Sequence, residues 1–234
     1  NLSIVTDQVF TDTTSLSFVD CWLGSLCFTF QIYFDFSGYI DMATGIALLF
    51  NIRLPQNFDS PFKATGMINF WQRWHITLTH FLTTYLYGPL LKSFRNINFL
   101  NSMVATLIVF LIAGLWHGPS WTYVIFGAMH GFGLIVNHTF KRIFDIKLNQ
   151  FFSQTLTFAY VNFTFIFFRA ESVDQASFII KKMLDFRSIN KLEYISIDLT
   201  TAVITAFIFS IIICFVLKNT NWLIGKLSLN KLLD

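Results

Sequence analysis

The hydrophobic positions of this chain fall in long unbroken runs, which short polar stretches separate. A helix rises about 1.5 Å per residue, so a run of roughly 20 residues crosses a hydrocarbon layer of about 30 Å. The runs do not alternate with the period of two that a transmembrane β-barrel requires. The pattern therefore predicts an all-α fold, a polytopic transmembrane helical bundle. The predicted membrane helices are residues 18–34, 99–116, 121–136, 151–168 and 195–217.

The stretches between these runs predict connecting elements. Residues 1–17 are rich in Thr, Ser and Asp and predict a loop. Residues 42–50 predict a short apolar helix, and the proline-containing residues 51–63 predict a loop at the membrane interface. Residues 171–186 predict an amphipathic helix.

Residues 67–86 form a two-faced pattern that differs from the spanning runs. On a helical wheel the aromatic and leucine side chains share one face, and the Thr, Gln and Arg side chains share the other. His75 falls at the boundary, and His80 lies on the polar face, where the simplest interpretation is a solvated side chain. This pattern predicts an interfacial or re-entrant amphipathic helix that does not cross the bilayer.

Composition supports a membrane protein over the soluble classes. Of 234 residues, 54% are hydrophobic and 12% are charged, whereas a soluble domain carries roughly a quarter charged residues. The net charge of +3 is small, and the basic residues lie in short loops, so the chain has no nucleic-acid-binding stripe. We interpret residues 1–234 as one membrane-embedded domain. Because the chain begins with Asn1, we expect it to be a fragment whose N-terminal part is missing.

The first membrane helix ends on polar side chains that are costly in hydrocarbon unless they face the protein interior. Gln31, Asp35 and Asp41 lie there among aromatic residues, and Gly38 lies between the two carboxylates. The structural interpretation is that the carboxylates cap or brace a kink at Gly38. The functional interpretation is direct contact with a substrate or cofactor.

The run ending at residue 116 is followed by His117, Gly118 and Pro119. Proline disfavours the helical conformation for the residue before it, so the helix should end within a residue of His117. An imidazole at a helix C-terminus lies beside released carbonyls and can serve as a base. A third histidine, His130, lies among closely spaced glycines, where packing or a hydrogen bond to a neighbouring helix is the expected role.

Five segments of the chain carry a resemblance to a known family. They are residues 31–39 (QIYFDFSGY), 70–75 (FWQRWH), 85–87 (YLY), 115–118 (LWHG) and 167–170 (FFRA). In this order they resemble the motifs of the membrane-bound O-acyltransferase superfamily, and within it the bacterial alginate O-acetyltransferase branch. The resemblance covers residues 9–183 and corresponds to the C-terminal half of that family's fold. It implies a polytopic helical enzyme in the inner (cytoplasmic) membrane of a bacterial cell.

The resemblance implies a catalytic role for His117 and a functional partnership with His75. We expect an acyl group, acetyl in this branch, to move from a thioester resembling acetyl-CoA to a hydroxyl of a cell-envelope polysaccharide. No bound cofactor is expected. The acceptor is left open, as is an extracytoplasmic acyltransferase that would act as a partner protein.

Within that reaction His117 is the predicted general base. His75, Arg73 or the indole N–H of Trp116 could donate hydrogen bonds to the developing oxyanion. Direct transfer is simpler than an acyl-enzyme, because no residue in this context resembles an activated nucleophile. The predicted supporting residues are Gln31, Asp35, Trp74 and His130.

Two other kinds of function fit parts of the sequence. A transporter could use Asp35, Asp41 and the histidines as a proton or ion relay. A metal site could be formed from His75, His117 and His130, although no short ligand spacing or cysteine pair supports one, and we predict none.

Overall fold

The computed structural model describes residues 2–11, 16–144, 146, 148–187 and 201–226. Its regular elements are all helical, which confirms the predicted fold class. The helices are α1 (Leu2–Thr11), α2 (Phe18–Leu49), α3 (Met67–Trp71), α4 (Ile76–Phe81), α5 (Gly88–Ser93), α6 (Phe99–His117), α7 (Trp121–Phe144), α8 (Gln150–Arg169), α9 (Val173–Met183), α10 (Thr201–Ile211) and α11 (Thr220–Lys226).

Among the described helices, α6 and α8 are long and apolar enough to span a membrane. They correspond to two of the five predicted spans. The predicted span at residues 195–217 is described from Thr201 onward, as α10 followed by a π-helical turn over Ile212–Val216. Its first part, residues 195–200, lies outside the described residues.

Residues Leu2–Thr11 form a helix, so the predicted loop over residues 1–17 is wrong for that part. The side chains of Val5, Val9 and Phe10 in α1 are buried against α2. At Gly24 a Cβ atom would collide with the Val9 side chain, so the two helices are in close contact. The buried residues Leu2, Val5 and Val9 are spaced by three and four positions, which marks one helical face, and the polar residues between them obscured this pattern.

Helix α2 is continuous at Gly38, where the sequence suggested a kink. Helix α2 is 32 residues long in total, about 48 Å at the usual helical rise. It passes through Gly38 and includes most of the predicted short helix of residues 42–50. A capping box holds its start, because the Ser17 hydroxyl accepts from the Asp20 amide while the Asp20 carboxylate accepts from the Ser17 amide. The carboxylates of Asp35 and Asp41 therefore brace no break in the helix.

The predicted amphipathic helix over residues 67–86 is broken in the middle. Helix α3 ends at Trp71, and His75 adopts a left-handed backbone conformation with φ 44° and ψ 53°. From Ile76 the chain is helical again through α4, a π-helical stretch over Leu82–Tyr87 and α5. Because a left-handed residue reverses the helical path, α3 and α4 are separate elements with His75 at the corner.

Helices α6 and α7 form a closely packed hairpin, as the glycine spacing predicts. A Cβ atom at Gly127 would collide with the Phe110 carbonyl oxygen, and one at Gly114 would collide with the Tyr123 carbonyl oxygen. Only glycine permits this approach of two helix backbones. The hairpin holds His117 against α7 and α8.

Buried polar side chains tie α2 to α8 inside the bundle. The Thr29 hydroxyl donates to the Asn162 amide oxygen at 2.7 Å, and the Asn162 amide nitrogen donates to the Ser25 hydroxyl at 3.1 Å. All three side chains are buried, so each unmade bond would be costly. These bonds fix the rotation of α2 about its axis, and therefore which of its residues face the site.

Candidate active site

A cavity of about 520 Å³ lies between α2, the α3–α4 corner, the C-terminal end of α6 and the facing sides of α7 and α8. Apart from Gln31, Asp35 and the two histidines, its walls are formed by apolar and aromatic side chains. Side chains from five parts of the chain meet here. The residues that line it are Phe28, Gln31, Ile32, Asp35, Phe36, Tyr39, Trp71, Trp74, His75, Leu78, Trp116, His117, Phe126, Phe165 and Phe168.

His75 lies at the corner between α3 and α4, and its left-handed backbone turns the ring toward the cavity. Non-glycine residues rarely adopt this conformation, and it persists where surrounding contacts hold it. Here the contacts come from Asn57, whose carbonyl oxygen accepts from the Ile76 amide at 3.0 Å and whose side chain contacts the His75 ring. Asn57 therefore holds the corner through both its backbone and its side chain.

The His75 ring is half-buried and packs edge-on against Phe36, with ring centroids 4.7 Å apart. Burial, and to a smaller extent the nearby His117 ring, lower the pKa of His75 to about 4. The imidazole is therefore neutral at physiological pH. A neutral imidazole has one donor nitrogen and one acceptor nitrogen.

His117 is the last residue of α6, as the sequence predicts, and its ring reaches the same cavity. It lies 5.1 Å from the Phe168 ring and 5.9 Å from the Phe126 ring, measured between centroids. The neighbouring Trp116 is 67% exposed and forms part of the rim. Both predicted histidines are thus brought to one cavity from different elements, which is the geometry that cooperation between them requires.

Two polar groups on the cavity-lining residues are buried without a hydrogen-bond partner among the described residues: the Oε1 of Gln31 and the Nε1 of Trp71. An unpaired buried polar group is costly, and native structures retain few. Asp35, one turn from Gln31 along α2, is exposed on the same wall. Asp35 thus presents a charge on the cavity wall, close to two buried polar groups whose hydrogen-bonding capacity is unused among the described residues.

Arg73 does not line the cavity, although the sequence suggested it as an oxyanion donor. Its guanidinium donates to the carbonyl oxygen and the carboxylate of Asp59 and to the amide oxygen of Asn69. It thereby joins the loop after α2 to the α3–α4 corner. Trp74 does line the cavity, with its indole stacked on the Phe70 ring at 5.7 Å.

His130 is fully buried in α7 and lies outside the cavity lining. The Thr164 hydroxyl donates to the Val161 carbonyl, so its oxygen accepts from the His130 Nε2–H at 2.9 Å. The Phe126 ring packs on the imidazole at 4.5 Å and also lines the cavity. His130 thus makes the predicted hydrogen bond to a neighbouring helix, and a metal site shared with His75 and His117 gains no support.

Asp41 lies apart from the histidines, next to a second cavity of about 400 Å³. Its carboxylate accepts from the Thr220 hydroxyl at 3.0 Å. Of the three carboxylates on α2, only Asp35 lines the cavity of the histidines. The structure therefore does not bring Asp35, Asp41 and the histidines together as one relay.

Two residues that shape this site, Asn57 and Trp71, were not among the predicted site residues. Asn57 lies in a stretch that resembles a polar surface loop, yet its side chain is only 6% exposed. The phenylalanine that follows it, Phe58, is also buried, which is unusual for an interfacial loop. Phe58, an apolar aromatic residue inside a predicted loop, was the one sequence signal that could have indicated burial of this segment.

An all-α fold with apolar spanning helices and a cavity lined by two imidazoles defines a helical membrane protein with two titratable rings at one site. The chain belongs to the membrane-bound O-acyltransferase family, whose model matches residues 2–174. The match contains both cavity histidines and every segment that lines the cavity. It confirms the resemblance seen in the sequence motifs.

Several curated relatives are similar to this chain. A peptidoglycan O-acetyltransferase of Helicobacter pylori is 42% identical over 200 residues, 81% of this chain and 36% of the relative. A probable alginate O-acetylase of Azotobacter vinelandii is 32% identical over 82% of this chain and 39% of the relative. A teichoic acid D-alanyltransferase of Streptococcus thermophilus is 37% identical over 48% of this chain and 28% of the relative. The chain thus spans less than half the length of these relatives.

Proposed function

We propose that this chain forms the histidine-bearing part of a multi-pass O-acyltransferase in the bacterial inner membrane. The enzyme moves an acetyl group from a cytoplasmic thioester resembling acetyl-CoA toward hydroxyls of a cell-envelope polysaccharide. The observation that carries the proposal is the single cavity that His75 and His117 share within the family match. The names of the relatives support acyl transfer to envelope polymers.

In the proposed reaction His117 is the general base. It takes the proton from the acceptor hydroxyl as that oxygen attacks the thioester carbonyl carbon. The carbon–sulfur bond then breaks, and the imidazolium returns the proton to the departing thiolate. A positioned imidazole contributes about 10²- to 10⁴-fold to such a step.

The chemistry of the cavity walls supports this role. Mostly apolar, aromatic surroundings keep water from competing as an acyl acceptor, and they strengthen electrostatic interactions with developing charge. The indole N–H groups of Trp71 and Trp116 are the proposed donors to the oxyanion. Arg73 is removed from this role because Asp59 and Asn69 already engage its guanidinium.

The test uses the full-length protein, purified in detergent or nanodiscs. Acetyl transfer from a radiolabelled thioester to peptidoglycan and to alginate is measured on the same sample as proton flux in liposomes. Time-dependent label in one polymer without flux supports the proposal. Flux without transfer would favour the transporter, and label retained on a co-purified extracytoplasmic acyltransferase would show that a partner completes the reaction.

A further inference from the structure

The Asn57 side chain contacts His75 and Thr77 at the α3–α4 corner. These contacts determine which ring nitrogen of His75 carries the proton. Its Oδ1 atom lies 3.1 Å from His75 Nδ1, 3.2 Å from the Thr77 amide nitrogen and 3.0 Å from the Thr77 hydroxyl. The side chain is buried, and both its backbone and its amide face the same corner.

The Thr77 backbone amide settles the direction of these bonds. A backbone N–H can only donate, so the atom of Asn57 that faces it must be the amide oxygen and not the amide nitrogen. That oxygen has no hydrogen to give to His75. The Nδ1 atom of His75 must therefore carry the proton and donate it to Asn57.

We propose that Asn57 is a positioning residue that locks His75 in the tautomer protonated at Nδ1, so that Nε2 presents a lone pair to the cavity. Asn57 does not line the cavity that holds the histidines, so the Nδ1 edge of the ring faces away from it. The Nε2 edge is the part of the ring left for a ligand. The outer partner of an imidazole commonly fixes its tautomer in this way.

The role of His75 in the proposed function follows from this tautomer, and the inference rests on that function. A neutral ring with a bare Nε2 accepts a hydrogen bond and cannot donate one to an oxyanion. His75 therefore accepts a hydrogen bond from a second hydroxyl of the acceptor and orients it, while His117 takes the proton of the hydroxyl that attacks. The oxyanion is left to donors such as the indole of Trp116.

The charged and titratable groups around His75 come from several elements. Asp35 and Tyr39 of α2 and His117 of α6 line its cavity. Behind the corner, Asp59 pairs with Arg73 at 3.4 Å. A substitution at Asn57 leaves all of these groups in place, so a change in the behaviour of His75 can be attributed to its direct partner.

The first measurement is independent of activity. Full-length protein is labelled with ¹⁵N,¹³C-histidine, and the His75 signals are assigned by their loss in His75→Gln. Of the two ring nitrogens, only Nε2 is bonded to the ring carbon Cδ2, so the one-bond correlation of Cδ2 identifies Nε2. We expect a bare Nε2 and a protonated Nδ1 at pH 7, and a protonated Nε2 would overturn the inference.

The second measurement follows turnover in Asn57→Asp. A carboxylate also accepts from Nδ1–H but favours the imidazolium, so it raises the pKa of His75. Turnover needs neutral His75, so activity falls as the pH drops through the pKa of this ring. In Asn57→Asp that fall should occur at a higher pH than in the unmodified protein. An acid limb that stays in place while the ring keeps its tautomer would overturn the inference.

Asn57→Ala removes the oxygen that accepts from His75 Nδ1–H, so we expect a mixture of the two tautomers of His75. We also expect kcat to fall by about 10- to 10⁴-fold. The upper value is the cost of a wrong tautomer in a serine-protease triad. The KM for the thioester should change little.

Thr77→Val is the matched control, because it removes one contact of the same Oδ1 atom without touching His75, and it should keep the tautomer. If Asn57→Ala does not fold, Asn57→Asp decides. An unchanged tautomer in folded Asn57→Ala would overturn the proposal, whereas full turnover in His117→Gln would defeat the proposed function alone.

Discussion

Two histidine environments in this molecule differ in what each ring can reach. His75 is held from behind by Asn57 and opens onto a cavity, whereas His130 is held by Thr164 and enclosed by aromatic rings. Each ring has one anchored nitrogen. The other nitrogen of His75 is available to a ligand, whereas the Nδ1 of His130 is buried without a partner among the described residues. Access to a cavity, and not the presence of an imidazole in the membrane, separates the proposed chemical role of His75 from the packing role of His130.

His117→Gln should have the largest effect, because it removes the proposed base from the cavity wall. We expect acyl transfer to fall by about 10²- to 10⁴-fold or below detection, with donor binding and folded yield nearly unchanged. Single-turnover transfer and thioester binding on the same preparation measure the two quantities. Substantial residual turnover would remove His117 from the base role.

His75→Ala should be the next most severe change. Loss of the ring removes the group that accepts a hydrogen bond from the polysaccharide. We therefore expect kcat to fall by about 10²-fold or more and the polysaccharide to bind more weakly. His75 is also the left-handed corner, so melting temperature in detergent must be recorded beside the rate. A fall in rate matched wholly by loss of folded protein would make His75 structural.

Thr164→Val tests the enclosed histidine. It leaves the His130 Nε2–H buried and unsatisfied, which should lower the free energy of unfolding by about 1–3 kcal/mol. Turnover per folded molecule should be nearly unchanged, since His130 does not line the cavity. Thermal melting and transfer assays on folded protein separate the two effects. A loss of turnover without loss of stability would place His130 in the reaction.

Asp35→Asn should have the smallest effect on folding. Helix α2 is continuous past Asp35 and Gly38, and the Asp35 side chain is exposed. Surface substitutions of this kind usually change stability by less than about 0.5 kcal/mol. We therefore expect normal folded yield, measured by size-exclusion chromatography, and a change confined to substrate affinity. A large drop in yield would restore a structural role for this carboxylate.

The sequence by itself determined the helical membrane class, the family and the position of His117. These features follow from local properties: the length of apolar runs sets the spanning helices, and a Gly-Pro pair ends α6 beside the imidazole. Glycine spacing likewise predicted the close packing of α6 and α7. Each of these signals lies within one contiguous segment.

Only the tertiary structure decided which side chains share the cavity, and how each histidine is held. Arg73, beside the cavity residues in sequence, faces away because Asp59 engages its guanidinium, whereas Asn57 reaches His75 from a loop 18 residues earlier. The rotation of α2, set by Thr29 and its bonds across to α8, places Asp35 at the cavity. Hydrogen bonds between distant segments have no period in the sequence. Which nitrogen of His75 carries its proton therefore depends on contacts that exist only after the chain has folded.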